Sequence, residues 1–394
     1  MTKNTKPPVP PYEDKLWKLW ARLEAAYVIC RNQPGNRKKK STTASTATPQ
    51  KQQERWHLHC LHVGPAMQEL ADIVTKQVLK QYAHAKYIRF SYESCWVDKI
   101  VQASWSGATQ SVELADLLVI VKRTVNGVVT RHGMLMQAKC VDDPDKLDKA
   151  TCQQGGTSSQ RERDLLEKAT GAIDLRLNGV TKSYNVPGES TNKPGIRDYA
   201  RYLLIPRNDS KNDGEWMCPY ITLWPSNRSC RVGDKAIYPD LIAHMAGVQI
   251  PGAGSPLSRP INADTEWKAM VDDVLSWAKG HQSLDRFGGF STYTRNQFGK
   301  WRRVGRLAQR RPHWLRRWWY RQISTLNSLV SRRHWNWLFP MQVLYAVAAT
   351  PPDHGGTDDR ANDEHEGGMV VLQIAISVSD GDELEPYDDT TEFS

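Results

Sequence analysis

The sequence predicts a mixed α/β fold, and three observations support this prediction. Helix-like and strand-like patterns alternate between residues 14 and 279. A strong hairpin signal, Asn126-Gly127, lies between two apolar stretches. Hydrophobic residues make up 39% of the 394 residues, which is enough material for a packed core.

The composition argues against several classes of protein. Seven cysteines are spread along the chain without a C-x-x-C pair, which disfavours a zinc ribbon or a disulfide framework. No apolar run reaches the ~18–20 residues that span a bilayer, and the N-terminus lacks the apolar segment of a secretory signal. We therefore expect a cytoplasmic protein with reduced thiols and no transmembrane segment.

The first 55 residues are expected to lie outside the main domain. Residues 14–30 have an apolar stripe at helical spacing, so residues 1–30 are interpreted as an N-terminal extension with an amphipathic helix. Residues 31–55 are polar and contain a KKK run, which is typical of a flexible linker. The globular core is expected over residues 56–225.

Within this core, residues 65–84 have an apolar stripe that predicts a helix, with Pro65 in its first turn. A strand is expected at 87–92, and Asn126-Gly127 is expected to join strands at 117–121 and 133–140. The pattern then predicts a helix, two strands and two further helices, at 159–173, 199–206, 220–224, 241–245 and 266–279.

The charge is distributed unevenly in the last third of the chain. From Arg286 to Pro352 there are 13 Lys or Arg residues and no Asp or Glu. Six tryptophans are interleaved with the arginines between residues 295 and 337, and residues 226–352 are expected to be mostly helical. Arginine neutralises phosphates and exposed aromatic rings stack on bases, so this block is interpreted as a nucleic-acid-binding region. Its candidate contact residues are Arg302, Arg303, Arg306, Arg310, Arg311, Arg316 and Arg317.

The C-terminal segment has the opposite charge. Residues 353–394 contain 13 Asp or Glu residues against a single Arg360, so they are interpreted as an acidic tail. One apolar patch, Met369–Val378, interrupts this tail. It is expected to form a strand that docks on the fold.

The hairpin geometry predicts a polar cluster. If Asn126-Gly127 forms a two-residue type I′ turn, the numbers of paired residues sum to 253, and Asp116 lies opposite Gln137. Lys139 then shares the face of Gln137, because side chains alternate along a strand. A single bulge would break this arrangement. The register therefore gathers a carboxylate, an amide and an ammonium at one end of an apolar hairpin.

These groups suit phosphodiester hydrolysis. Asp116 is a hard oxygen ligand for Mg²⁺ or Mn²⁺, and the side-chain oxygen of Gln137 could be a second, neutral ligand. Lys139 could stabilise developing charge or orient the attacking water.

Asp116 followed by Gln137-Ala138-Lys139 resembles the PD-(D/E)xK nuclease superfamily, in its variant with Gln before x-Lys. This variant is similar to Mrr-type restriction nucleases and to nuclease domains of bacterial antiphage systems. The resemblance covers roughly residues 60–210, with Ala115 where the usual Pro precedes the Asp.

The resemblance implies a restriction-endonuclease-like fold, in which a mixed sheet is flanked by helices. It further implies a metal-dependent endonuclease acting on DNA in defence against foreign DNA. It also implies that Glu69 could be an additional acid on the preceding helix. Glu113 lies three residues before Asp116 and would join the metal site only if the strand begins after it or bulges.

Alternative interpretations stay open at this point. The chain could be a non-catalytic nucleic-acid-binding protein with a decayed nuclease fold, because Gln137 and Ala115 depart from the usual pattern. The Trp/Arg block could instead pack as a helical subdomain or bind an anionic membrane surface. DNA or RNA as the substrate, a homo-oligomeric state and an activating partner or signal are not determined by the sequence.

Overall fold

The computed structural model describes a large part of the chain. The described residues are 13–32, 49–62, 64–97, 101–142, 144, 158–177, 179–186, 195–196, 199–207, 216, 218–223, 235–249, 259–261, 264–280, 291–296, 302–304 and 369–379.

The described helices are α1 (Glu13–Asn32), α2 (Pro49–Leu61), α3 (Gly64–Gln81), α4 (Ser158–Lys168), α5 (Tyr238–Met245) and α6 (Thr265–Gly280). The described strands are β1 (Tyr87–Val97), β2 (Gln102–Ser106), β3 (Val112–Glu113), β4 (Leu117–Val125), β5 (Val128–Val141), β6 (Thr170–Leu177), β7 (Val180–Tyr184), β8 (Ala200–Pro206), β9 (Ile221–Leu223), β10 (Ala236–Ile237), β11 (Arg259–Pro260), β12 (Ser291–Asn296), β13 (Arg302–Val304) and β14 (Met369–Ser379). The α/β class predicted from the sequence is therefore confirmed.

A mixed sheet forms the centre of the fold, with strand order β10-β9-β8-β5-β4-β14-β1-β12-β13 and β11 paired to β5. The pairs β5–β8 and β4–β14 are parallel, and the remaining neighbours are antiparallel. A smaller sheet has the order β3-β2-β6-β7.

The predicted hairpin is present with the predicted register. Pairs run from Val125 opposite Val128 to Leu117 opposite Met136, so their residue numbers sum to 253. Asn126 and Gly127 have φ values of 47° and 82°, as a type I′ turn requires at both of its central positions.

Apolar side chains cover both faces of the central sheet. One face packs against α1, α2, α3 and α5, through residues such as Leu19, Leu58 and Val74. The other face packs against α4, α6 and the small sheet, through residues such as Leu165, Trp267 and Ile173. Because side chains alternate along each strand, even-numbered residues of β5 face the first group of helices and odd-numbered residues face the second.

The structure departs from the expected segment boundaries. Helix α1 packs into the core and is not a separate extension, and α2 begins at Pro49, inside the expected linker. The expected helical region 226–352 contributes strands β12 and β13 to the central sheet. The strand predicted in the acidic tail, β14, lies between β4 and β1 and is not an appendage.

No helix in the described part of the chain is long and apolar enough to cross a membrane.

Candidate active site

Asp116 lies at the junction of three strands, directly before β4. Its amide donates to the carbonyl of Met136 at 3.0 Å, and its carbonyl accepts from the amide of Val370 on β14 at 2.9 Å. Its Oδ2 accepts from the amide of Ala138 at 2.8 Å. The ladder itself ends at Leu117 and Met136, one step before the Asp116–Gln137 pair expected from the register. The carboxylate nevertheless lies beside β5, between Gln137 and Lys139.

A second carboxylate, that of Glu54 on α2, binds the next available amide of the same strand edge. Glu54 Oε2 accepts from the amide of Cys140 at 2.9 Å. Since β4 ends opposite Met136, the amides of Ala138 and Cys140 have no ladder partner on this side, and the two carboxylates replace it. This geometry brings Glu54 to the end of the hairpin.

Lys139 is held by a third carboxylate, from the helix that follows the hairpin. Its Nζ lies 2.7 Å from Oε2 of Glu162 on α4, and the two side chains are only 13% and 8% exposed. Glu54, Asp116, Lys139 and Glu162 are called the carboxylate–lysine cluster below.

The members of this cluster shift one another's ionisation. Burial raises the pKa of Glu54 to about 7, Lys139 and the Cys140 amide oppose this shift, and the charges of Asp116 and Glu162 add to it. Burial alone would lower the pKa of Lys139, but Glu162, Glu54 and Asp116 outweigh it and raise that pKa well above its usual value. Lys139 is therefore protonated at neutral pH, and Glu54 can exchange a proton close to it.

Gln137 is buried, at 2% exposure, and its amide braces the chain before Asp116. Its Nε2 donates to the carbonyls of Glu113 and Leu114, at 3.3 Å each. Glu113 itself belongs to β3, where it pairs with Gln102. The Gln137 side chain thus holds the backbone of residues 113–116 beside β5.

Glu69, the acid expected on the helix before the hairpin, is engaged elsewhere. Its carboxylate forms an ion pair with Arg22 of α1 at 3.0 Å. Glu54 on α2 is the helical acid that the structure brings to Lys139, and sequence reasoning missed it together with Glu162.

The expected nucleic-acid-binding residues are described only in part. Arg302 and Arg303 lie on β13, where they pair with Thr294 and Tyr293 of β12. The other candidates, Arg306, Arg310, Arg311, Arg316 and Arg317, lie outside the described residues.

The oxygen donors of the carboxylate–lysine cluster suit a divalent cation, but their arrangement does not form a complete metal site. Three carboxylates surround a single ammonium, so the group has an excess of hard, negatively charged oxygen donors. Among the residues that the structure describes, however, no group of three His, Cys, Asp or Glu side chains is arranged to hold a metal ion. Asp116 and Glu54 each have one carboxylate oxygen bound to an amide of β5, so a cation bound here would need further ligands from water or substrate.

Comparisons of this chain with protein-family models, with curated proteins and with solved structures give no match.

Proposed function

We propose that the protein is a divalent-metal-dependent endonuclease that hydrolyses phosphodiester bonds of DNA. The observation on which this proposal depends is the carboxylate–lysine cluster at the end of the hairpin. A largely buried group of acids around one lysine, with one acid titrating near pH 7, is typical of a catalytic site.

The order of elements supports a restriction-endonuclease-like core. Helix α3 precedes the hairpin, α4 follows it, and β8 then runs parallel to β5. Asp116, directly before β4, lies beside Gln137-Ala138-Lys139 of the adjacent strand β5, as the resemblance implies. The insertion of β14 between β1 and β4 is a feature that the resemblance does not imply.

The residues of the cluster have distinct roles in the proposed reaction. Lys139 supplies a fixed positive charge that stabilises the negative charge developing on the phosphate. Glu54 accepts a proton from the attacking water near neutral pH, because its pKa is about 7. Glu162 and Gln137 position Lys139 and Asp116. A divalent ion held by Asp116 would polarise the phosphate.

The topology connects the basic block to the same end of the sheet. Strand β14 starts next to Asp116, and β13 ends at Val304, which pairs with Thr292 near the start of β12. Ser291, at the start of β12, pairs with Ser94, which is close to the last residue of β1. That last residue, Val97, pairs with Met369 at the start of β14. Val304 and Met369, the described residues on either side of most of the Arg/Trp block, thus both lie at the end of the sheet that contains Asp116, which favours substrate binding there.

Plasmid cleavage in Mg²⁺ or Mn²⁺ tests the proposal. We expect cutting that stops with EDTA and falls at least ~100-fold in Lys139→Ala, since electrostatic groups in active sites contribute ~10²–10³ to rate. Lys168→Ala is the matched control, because Lys168 is an exposed lysine of α4 that pairs with Asp164 at 2.7 Å.

Two outcomes would contradict this proposal. One is cutting by Lys139→Ala at the wild-type rate. The other is absence of metal-dependent cutting in wild-type protein that binds DNA. Circular dichroism of Lys139→Ala, and the same assay on Lys139→Met, separate lost catalysis from lost folding.

A nucleic-acid-binding protein without cleavage is the second candidate. It is favoured by the lack of a three-ligand metal group among the described residues and by the use of the Gln137 amide on backbone carbonyls. This candidate predicts a DNA mobility shift without cutting, with an affinity that falls steeply as salt increases.

A further inference from the structure

A second group of titratable side chains lies on the face of the central sheet opposite to that of Lys139. His132 precedes Lys139 by seven residues on β5, which separates them by about 23 Å along an extended strand. The group consists of Arg123 on β4, His132 on β5, Arg201 on β8 and His244 on α5, and it is called the basic cluster below.

The strand register places three of these residues on one face of the sheet. His132 lies opposite Val121, and Arg123 is two residues beyond Val121, so Arg123 and His132 share a face. Arg201 lies beside Met136, which shares the face of His132 because four residues separate them on β5. Helix α5 packs on this same face through Leu241 and Ile242, and it adds His244.

The charges around the two histidines are positive. Burial, together with the charges of Arg123 and His244, lowers the pKa of His132 to about 4. Burial also lowers the pKa of His244, a backbone contact with Val248 opposes this shift, and Arg201 adds to it. Both imidazoles are consequently neutral at pH 7, beside two guanidinium groups.

Polar atoms of the cluster are buried without a hydrogen-bond partner. Neither Nδ1 of His244 nor Nε of Arg123 binds any atom of the residues that the structure describes. The Arg123 guanidinium is held in place, because its Nη1 donates to the Tyr82 hydroxyl at 3.3 Å. It also lies against Gly247, where a side chain would overlap it.

The end of α5 stabilises only part of this charge. Gly247, with φ of 88°, follows the last turn of α5, whose carbonyls present a partial negative charge to Arg123. Burying a guanidinium edge without a partner costs free energy, and so does an unpaired imidazole nitrogen. A phosphate oxygen within reach of each group would remove its cost.

We propose that the basic cluster is a binding site for the phosphate group of a ligand. Guanidinium groups match phosphate oxygens in geometry, and the two neutral imidazoles can each donate one N–H, which adds two further donors. The site is formed by β4, β5, β8 and α5, and it does not depend on the nuclease proposal.

Titration of the full-length protein with inorganic phosphate at pH 7 and constant ionic strength tests this site. We expect the melting temperature to rise with phosphate, and the NMR-detected pKa values of His132 and His244 to increase by about one unit or more. Arg123→Gln is expected to weaken phosphate binding at least tenfold. The matched control is Arg131→Gln, because Arg131 lies on the opposite face of β5 and pairs with Asp272 at 3.0 Å.

The proposal is overturned if phosphate acts no more strongly than chloride at equal ionic strength, or if Arg131→Gln loses binding as much as Arg123→Gln. Arg201→Gln provides a second variant should Arg123→Gln fail to fold, and retention of wild-type phosphate binding in it would also overturn the proposal. A short DNA duplex identifies the source of the phosphate. Displacement of phosphate by the duplex assigns the site to a nucleic-acid backbone, and lack of displacement assigns it to a small phosphorylated molecule.

Discussion

At the scale of single residues, the carboxylate–lysine cluster concentrates opposing charges where the sheet ladder ends. Asp116 and Glu54 satisfy backbone amides of β5, and this use of their oxygens fixes them beside Lys139. The ammonium offsets the repulsion between the acids, and the acids keep it protonated. Each member therefore depends on the others, and removing one leaves buried charge without compensation.

Glu162→Gln tests this dependence independently of catalysis. The variant breaks the 2.7 Å pair with Lys139 but leaves Glu54 and Asp116 nearby. We expect the free energy of unfolding to fall by about 2–3 kcal/mol, near the lower end of the cost of breaking a buried pair. Asp164→Asn, on the exposed side of α4, is expected to change it by less than about 0.5 kcal/mol. Urea unfolding measures both values, and equal losses in the two variants would contradict a specific role for Glu162.

At the scale of elements, the hairpin could be predicted and α2 could not. Asn126-Gly127 and the alternating strands around it are local signals, and they determine the register. The buried face of α2 includes Gln53 and His57, which have polar side chains and give no apolar stripe. Both bind Glu24 of α1, at 2.9 and 2.8 Å, so their burial depends on a partner distant in sequence. Glu54 was missed for this reason, and Glu162 because its pairing with Lys139 is a tertiary contact.

The position of β14 is another property that local patterns do not contain. Its apolar run predicts a strand, but strand order is decided by long-range pairing with β4 and β1. Strands β12 and β13 are short and polar, so neither length nor alternation distinguishes them from a loop.

Truncation tests the central position of β14. A chain that ends at Gly368 lacks β14, which fills the space between β4 and β1 and buries Val370, Leu372 and Ile374 in the core. We expect this chain to lose cooperative thermal unfolding, because the sheet is divided into two parts. A chain that ends at Asp380 keeps β14 and is the control, which we expect to fold. Equal circular dichroism spectra and melting curves for the two chains would show that β14 is dispensable.

At the scale of the whole molecule, one buried contact joins residues 280 positions apart. Gln373 on β14 donates to Glu93 on β1 at 2.7 Å, and Glu93 is only 3% exposed. Burial raises the pKa of Glu93 to about 7, although Lys279 and the Gln373 hydrogen bond oppose the shift. The pairing of β14 with β1 is therefore coupled to the protonation of Glu93.

This linkage predicts how the stability of the whole fold varies with pH. Because the pKa of Glu93 is higher in the folded state than its ordinary value of 4.5, the folded protein binds more protons between pH 4.5 and about 7. The contribution of Glu93 to the free energy of unfolding is fully present below pH 4.5 and is lost as pH rises through 7. For a shift of this size, the change is about 3 kcal/mol. Glu93→Gln keeps an oxygen to accept from Gln373 and cannot ionise, so we expect it to be more stable than wild type at pH 8 and similar at pH 5. Glu54 contributes a change of the same sign in both proteins, so only the difference between them reports Glu93. Urea unfolding at the two pH values measures this difference, and parallel pH profiles for the two proteins would refute the linkage.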